Sequence, residues 1–133
     1  MPDRLIISDL EAQCRIGVFE WERAQPQPIW IDLELPIDAA RAAERESVED
    51  TVDYARLVQA VKRVAEERTY RLMETLAEAV AQAVVQEFAP RVSVRVKKRA
   101  LPGIAYAAVE VERVGQRRAR VARRRVRGRV GRR

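Results

Sequence analysis

Hydrophobic and polar residues alternate along four segments of the chain, which is the pattern of β-strands with one buried face. The pattern is clearest in residues 29–37, where aliphatic residues occupy most odd positions and acidic residues fall between them. Valines alternate with polar residues in residues 91–97, and alternation recurs in residues 105–113 after a Leu-Pro-Gly turn. Residues 4–16 open on an apolar run and end before a glycine, which predicts another strand.

Two other segments repeat their hydrophobic residues every three or four positions, which predicts amphipathic helices. The first covers about residues 54–68 and follows Asp53, a residue type that caps helix N-termini. The second covers about residues 72–88 and is stopped by Pro90. The Ala-rich, charged segment 38–50 predicts one or two further helical turns.

The order of these elements is strand, strand, helix, helix, strand, strand. It predicts an α+β domain in which a four-stranded antiparallel sheet carries both helices on one face. Such a sheet has two open edges, and an open edge pairs with another chain unless charge, proline or a covering segment blocks it. We therefore expect a homo-oligomer built by continuing the sheet from one subunit to the next.

Charge divides the chain into two parts. The 133 residues include 26 basic and 20 acidic side chains, for a net charge of +6. Ten of the arginines lie in residues 114–133, which contain no acidic residue, so residues 1–113 hold 16 basic against 20 acidic side chains. We predict a mildly acidic domain over residues 1–113 and a disordered Arg-rich tail over residues 114–133, because a block of like charges buries too little apolar surface to order itself.

A nucleic-acid-binding module is the alternative from a different functional class. In that interpretation the arginines of residues 117–133 neutralise phosphates. Removal of residues 114–133 distinguishes the two interpretations, because nucleic-acid binding would be lost with this segment whereas the activity of the domain would not. We prefer the disordered tail, so a nucleic-acid partner is expected only through this segment.

The absence of histidine restricts the chemistry more than any other count. Catalytic zinc sites and many acid-base mechanisms use imidazole, so metal hydrolases, Ser-His-Asp hydrolases and Cys-His enzymes are disfavoured. The single cysteine, Cys14, cannot form an internal disulfide, and residues 1–7 are too acidic and too short in apolar run for us to expect a secretory signal. No run approaches the ~18 apolar residues of a membrane span. We expect a cytoplasmic protein with no metal ion and no membrane contact.

Four segments at element boundaries contain the remaining acid-base groups. They are residues 17–23, 51–54, 72–78 and 95–99. Each also has a structural interpretation: a solvated connector, a helix N-cap followed by a tyrosine, a helix first turn that favours a carboxylate, and a solvated strand end. Loops and element ends on a rigid scaffold are nevertheless where functional groups collect.

Glu74 and two adjacent lysines are candidates for binding and acid-base chemistry in these segments. Glu74 lies in the first turn of the second helix, and an ionised carboxylate there can accept two N–H bonds from the edge of an amidine-like heterocycle. Strand alternation places Lys97 on the face of Arg95 and Lys98 on the face of Val96. A lysine that points into a half-buried pocket is suited to acid-base chemistry.

Taken together, the four segments resemble the dihydroneopterin aldolase family of the folate pathway. The resemblance covers nearly all of residues 3–113. It rests on the motifs IGVFEWER at residues 16–23, DTVDY at 50–54, LMETLAE at 72–78, and VRVKK at 94–98 followed by Pro102-Gly103. It implies the tunnelling fold, in which subunits extend their sheets into a ring-shaped barrel, and a tetramer or octamer.

The resemblance also implies a reaction. Family members cleave the C1′–C2′ bond in the side chain of 7,8-dihydroneopterin and release 6-hydroxymethyl-7,8-dihydropterin and glycolaldehyde. They use neither a metal nor a Schiff base, so no cofactor is expected. A retro-aldol cleavage needs a base for the 2′-hydroxyl proton and an electron sink, and the imine of the dihydropterin ring is that sink. The protein then has to orient the substrate, move protons and stabilise charge.

By the same resemblance, three residues would bind the pterin ring. Glu74 matches the carboxylate that anchors the amino and ring N–H groups. Backbone groups around Val52 and Met73 would contact the ring.

Three further residues match catalytic positions of the family. Glu22 matches the loop acid near the substrate side chain, and Tyr54 matches the phenol that protonates the enol intermediate. Lys98 matches the lysine that acts with a bound water in proton transfer. Because the family's site lies between subunits, Glu22 and Tyr54 are expected to face Glu74 and Lys98 across an interface.

Several alternatives stay open at this level. Lys97 is adjacent to Lys98, so either lysine can be the catalytic one. An epimerase acting on dihydroneopterin or its triphosphate would form the same intermediate, although a lysine before a Pro-Gly turn favours the aldolase. An inactive scaffold of the same fold is a third alternative, whereas zinc-dependent pterin enzymes of this fold are disfavoured by the missing histidine.

Overall fold

The computed structural model describes residues 3–99 and 101–115. Over these residues, the predicted strands and long helices are present within two residues of their predicted bounds. In chain order, the elements are β1 (Asp3–Ile16), α1 (Glu20–Arg23), β2 (Gln27–Ile37), α2 (Ala39–Arg45), a 3₁₀ turn (Val48–Asp50), α3 (Tyr54–Glu67), β3 (Thr69–Tyr70), α4 (Met73–Glu87), β4 (Arg91–Lys98) and β5 (Ala107–Val114).

Helices α3 and α4 form where the periodicity predicts them. The carboxylate of Asp53 caps α3 by accepting hydrogen bonds from the backbone N–H groups of Ala55 and Arg56. Each helix buries one face against the sheet, since its apolar residues recur once per turn. The buried residues are Leu57, Val61 and Ala65 in α3, and Leu76, Ala77, Val80, Ala81, Val84 and Val85 in α4.

The sheet is five-stranded and mixed, in the order β3-β1-β2-β4-β5, so the prediction of four antiparallel strands is wrong. The additional strand, β3, lies between the two long helices and pairs in parallel with the end of β1. Tyr70 in this strand is buried, and its hydroxyl donates a hydrogen bond to the carbonyl of Val64 at 2.8 Å. A strand of two residues is too short to show alternation in a sequence.

The two faces of the sheet have different neighbours. One face packs against α3 and α4 and forms the core, which includes Ile29, Ile31, Leu33 and Leu35 of β2 and Val92, Val94 and Val96 of β4. The opposite face, called here the outer face, holds the alternate residues of these strands, including Asp32, Glu34, Arg95 and Lys97. Among the described residues, Lys98 is the one buried charged residue, and it lies on the helix-covered face.

The two ends of the sheet hold different candidate residues. β1 and β4 finish at the end called here the Lys98 end, where β3 also pairs with β1. β1 and β4 begin at the opposite end, called the Tyr54 end, where Leu5 lies against the start of α3. Helix α3 therefore runs from the Tyr54 end to the Lys98 end.

The last described residues close the fold against the end of α4. β5 continues to Val114, and the N–H of Gly115 donates to the carbonyl of Pro90 at 2.7 Å. The Arg-rich tail lies outside the described residues from residue 116 onward, so the domain boundary after residue 113 stays a prediction. No helix within the described ranges is long and apolar enough to cross a membrane.

The core makes a direct prediction about stability. Leu33 in the middle of β2 is fully buried, whereas Leu101 in the β4–β5 loop is 67% exposed. We expect Leu33→Ala to lower the free energy of unfolding by about 3 kcal/mol, because it removes apolar contacts and leaves a cavity. Leu101→Ala is the matched control, with an expected change below about 0.5 kcal/mol. Urea denaturation followed by circular dichroism measures both, and equal losses would contradict this account of the core.

Candidate active site

Lys98 and Lys97 end β4 on opposite faces of the sheet. Lys98 is 8% exposed and lies on the helix-covered face, with its Nζ 3.5 Å from Oε2 of Glu22. Lys97 points to the outer face, where its Nζ contacts the carboxylate of Asp9 and lies 3.1 Å from Oδ2 of Asp32. The predicted faces of both lysines are therefore confirmed. Only Lys98 points toward the loop that contains Glu22.

The carboxylate of Glu22 turns back onto the start of its own helix, α1. The N–H of Phe19 donates to Oε1 of Glu22 at 3.0 Å, while Oε2 faces Lys98. The hydrogen bond from Phe19 holds the pKa of Glu22 below its ordinary value of 4.5; partial burial opposes this shift, and Lys98 adds to it. Glu22 is therefore ionised at neutral pH and places a negative charge beside the amine of Lys98.

Gly17 makes room for this arrangement. A Cβ atom at position 17 would lie 2.4 Å from Cβ of Glu22 and 2.8 Å from its Oε1, well inside the normal separation of non-bonded atoms. The N–H of Gly17 donates to the carbonyl of Tyr70 at 3.0 Å, which ties the loop to β3. Arg23 donates to the carbonyls of Gly17 and Val18 at 2.8 and 2.9 Å. The loop that holds Glu22 is thus joined to β3 by Gly17 and held together internally by Arg23.

Met73 and Glu74 open α4 at the Lys98 end, shortly after β3. The hydrogen bond between Gly17 and Tyr70 therefore joins the loop of Glu22 to the segment that leads into α4. Glu74 is exposed, and none of the described residues forms an ion pair or a side-chain hydrogen bond with it. The free N–H groups and the dipole of a helix N-terminus stabilise a carboxylate in the first turn. Glu74 is available to bind a ligand.

Val52 and Tyr54 lie at the opposite end of the sheet. Together with Leu5 they line a largely apolar cavity of about 420 Å³, and Tyr54 is 62% exposed. The 14 residues of α3 separate Tyr54 from the Lys98 end, and a helix of that length spans about 20 Å. One chain therefore cannot bring the phenol of Tyr54 to the pair formed by Glu22 and Lys98.

The structure changes the predicted grouping of the site residues. The expectation that Glu22 faces Lys98 across a subunit interface is wrong, because the two side chains are in contact within one chain although 76 residues separate them. The structure forms two groups at opposite ends of the sheet. Glu22, Met73, Glu74 and Lys98 belong to the first group, and Val52 and Tyr54 belong to the second.

Cys14 is a neighbour of this site that the sequence analysis did not assign to it. The pKa of the Cys14 thiol is raised to about 11, mainly by burial and also by Glu66, while Lys98 acts in the opposite direction. Cys14 is thus a neutral thiol within electrostatic reach of Lys98. The alternating apolar pattern of β1 predicts from the sequence that Cys14 is buried. The sequence contains no signal that places Cys14 near Lys98.

The described part of this site offers an amine, carboxylates and backbone N–H groups. Across residues 3–99 and 101–115, no three Cys, Asp or Glu side chains are arranged to hold a metal ion. A lysine next to an ionised glutamate can exchange protons with a bound water or hydroxyl group. A free carboxylate at a helix N-terminus can accept N–H bonds from a heterocycle.

The sequence model of the dihydroneopterin aldolase family matches residues 5–113 of this chain. The chain belongs to the dihydroneopterin aldolase family. The dihydroneopterin aldolase of Methylorubrum extorquens is 36% identical over 119 residues, which cover 85% of this chain and 91% of the relative. The structure of FolB from Vibrio cholerae superposes with a TM-score of 0.83 and 34% identity, over 86% of this chain and 98% of the other.

A structure of Escherichia coli dihydroneopterin aldolase in complex with neopterin gives a TM-score of 0.80 at 31% identity, over 84% of this chain and 98% of that one. These similarities confirm the predicted family, and with it the aldolase function in folate biosynthesis. They also confirm the α+β class of the fold. The roles of individual residues in this dihydroneopterin aldolase family member stay predictions.

The lowered pKa of Glu22 predicts a pH-dependent contribution to stability. A carboxyl group whose pKa is lower in the folded than in the unfolded state stabilises the protein when the pH is above the unfolded-state pKa. This contribution is lost as the pH falls through the folded-state pKa. The free energy of unfolding should therefore differ most between wild type and Glu22→Gln above pH 4.5, the ordinary value for this group. The difference should shrink as the pH falls further.

Urea denaturation between about pH 7 and about pH 3.5 measures this difference. Glu20→Gln is the matched control, since Glu20 is an exposed residue of the same short helix outside the contact with Lys98. A Glu22→Gln difference that stays constant over the whole pH range would show that the ionised carboxylate does not stabilise the loop.

Proposed function

We propose that this dihydroneopterin aldolase family member cleaves 7,8-dihydroneopterin in a site shared by two copies of the chain. The observation behind this proposal is the separation of its functional groups. A buried lysine contacts an ionised glutamate at one end of the sheet, while the candidate phenol lies at the other end. One copy would supply Glu22, Met73, Glu74 and Lys98, and the second would supply Val52 and Tyr54.

Glu74 would fix the orientation of the pterin ring. Its exposed carboxylate can accept two parallel N–H bonds from the amino group and the adjacent ring nitrogen, a geometry that is both strong and directional. Backbone groups of Met73 in the first copy and Val52 in the second would contact the ring. The complex of the E. coli relative with neopterin supports a pterin as the ligand.

Lys98 and Glu22 would act on the trihydroxypropyl side chain. Glu22 would hold the hydroxyl groups in place, and Lys98 in its neutral amine form would take the proton of the 2′-hydroxyl group through a bound water. The C1′–C2′ bond then breaks, its electron pair enters the ring imine, and glycolaldehyde leaves. The electron pair returns when C1′ accepts a proton from Tyr54 of the second copy, which restores the imine and gives 6-hydroxymethyl-7,8-dihydropterin. Water then carries the proton held by Lys98 to the Tyr54 phenolate, so both groups regain their starting forms.

The edges of the sheet support an assembly that brings the two groups together. Among the described residues, β5 pairs only with β4, and most of β1 has no partner on the side away from β2. Ile6 on β1 and Val114 on β5 are 52% and 70% exposed, which is the apolar surface expected at an edge that another subunit covers. We propose a tetramer or octamer that continues the sheet, and a cytoplasmic location.

Substitutions should separate binding from turnover. We expect Glu74→Ala to raise KM about 10- to 100-fold with a smaller change in kcat, because it removes a charge-assisted pair of hydrogen bonds. Lys98→Met and Tyr54→Phe should lower kcat by about 100-fold or more with small changes in KM, because they remove proton-transfer groups. Glu78→Ala is the matched control for Glu74, since the carboxylate of Glu78 is held by Arg113.

Incubation of the purified protein with 7,8-dihydroneopterin, followed by chromatography of glycolaldehyde and of the 2′-epimer, provides the measurement. Glycolaldehyde as the main product supports the aldolase, whereas the epimer as the main product would replace it with the epimerase alternative. Small and equal effects of all three substitutions would contradict the assigned roles.

Mixing two inactive variants tests whether the site is shared. If Lys98 and Tyr54 of one site come from different chains, Lys98→Met and Tyr54→Phe chains can form intact sites together. Random reassembly of equal amounts after mild denaturation should restore about a quarter of wild-type activity, because each of the two contributing chains is the correct one half of the time.

Glu22→Gln mixed with Lys98→Met is the matched control for this experiment. Glu22 and Lys98 are in contact within one chain, so no mixture of these variants contains an intact site. Equal recovery in both mixtures, or none in the first, would overturn the two-copy arrangement.

A further inference from the structure

Lys97 has partners in three neighbouring segments on the outer face of the sheet. Its Nζ contacts the carboxylate of Asp9 in β1 and lies 3.1 Å from Oδ2 of Asp32 in β2. The same Nζ lies 5.8 Å from the centre of the Tyr106 ring, just before β5. Its side chain is only 17% exposed. One amine therefore joins three neighbouring segments across the outer face.

The backbone of β1 is bent to bring Asp9 to this position. The register between β1 and β2 shifts between Ile7 and Leu10, which is a β-bulge, and Asp9 within it has a φ of +55°. This left-handed conformation is uncommon outside glycine, although Asp and Asn tolerate it better than other residues. The N–H of Asp9 donates to Oδ1 of Asp32 at 2.8 Å, so both carboxylates that hold Lys97 are themselves connected.

The position of Lys97 in β4 matters because the pairing with β2 ends there. The last pair between these strands is Trp30 with Lys97, and Lys98 has a partner only in β5. Strand ends open more easily than strand centres. Lys98 thus projects toward Glu22 from the first position of β4 that does not pair with β2. The residue before it, Lys97, makes the last side-chain contacts of β4 with β1 and β2 ahead of Lys98.

We infer that Lys97 is a positioning residue for Lys98: its ion pairs with Asp9 and Asp32 hold the end of β4 so that the amine of Lys98 stays directed at Glu22. This inference rests on the proposed function, since it acts through the role of Lys98 in proton transfer. Successive residues of a strand point to opposite faces and their Cα atoms are about 3.8 Å apart. A displacement of the backbone at Lys97 therefore also displaces the side chain of Lys98.

The decisive experiment is a double-mutant cycle on the full chain. Lys97→Met keeps much of the side-chain volume and removes the charge, and we expect it to lower kcat about tenfold with KM changed less than about twofold. In a Lys98→Met background the same substitution should change kcat little, because the group it positions is already gone. Lys97→Arg, which can still pair with both carboxylates, should restore most of kcat.

The solvent deuterium isotope effect on kcat distinguishes misplacement from loss of folded protein. Slower proton transfer at Lys98 should increase the isotope effect in Lys97→Met, whereas a smaller folded fraction leaves it unchanged. Asp9→Asn is the second variant, because Asn accepts the same backbone conformation and removes the carboxylate charge. Like Lys97→Met, it should lower kcat and increase the isotope effect. Arg4→Met is the control, since it breaks another β1–β2 ion pair of the outer face, with Glu34, at the Tyr54 end.

The possible outcomes are distinct. If Lys98→Met itself leaves kcat unchanged, the proposed role of Lys98 is wrong and the inference falls with it. If Lys98→Met is inactive while Lys97→Met retains wild-type kcat and isotope effect, the proposed function stands and the positioning role is overturned. Equal effects of Lys97→Met and Arg4→Met, or additive effects in the double mutant, would also overturn it.

Discussion

The buried amine of Lys98 is the constraint on which this end of the molecule depends. A charged group removed from water is costly unless a partner of opposite charge and hydrogen bonds replace the lost solvation. Glu22 supplies the partner, and the N–H of Phe19 keeps its carboxylate ionised. Gly17 allows the close approach, and its hydrogen bond to Tyr70 connects the loop to β3 and hence to the start of α4. A series of contacts therefore runs from the ion pair to the first turn of α4, which contains Glu74.

The same constraint explains why one chain is not enough. The core holds Lys98 and Glu22 at one end of the sheet, while α3 carries Tyr54 away to the other end. Neither group can cross the length of a packed helix without unfolding it. A second copy placed along an open sheet edge can bring a phenol to the buried pair, so the chemistry we propose and the assembly we propose depend on each other.

Much of the fold could be predicted because its elements are long and periodic. The alternation in β2 and β4 and the apolar stripes of α3 and α4 determine which faces become buried. The parallel strand Thr69–Tyr70 could not be predicted, because its two residues owe their conformation to the end of β1 and to the hydrogen bond from Gly17. The candidate residues themselves were identified from local motifs, whereas the contact between Glu22 and Lys98 joins segments 76 residues apart.

The sequence by itself determined the types of chemical group available, the order of the elements and the face of each strand, because these follow from composition and from periods of two and 3.6 residues. That alternation already separated Lys97 from Lys98. Only the tertiary structure decided which groups meet. It paired Lys98 with Glu22, bent β1 to bring Asp9 to Lys97, and left Tyr54 at the far end, because strand register and helix packing, which set these contacts, depend on the whole core at once.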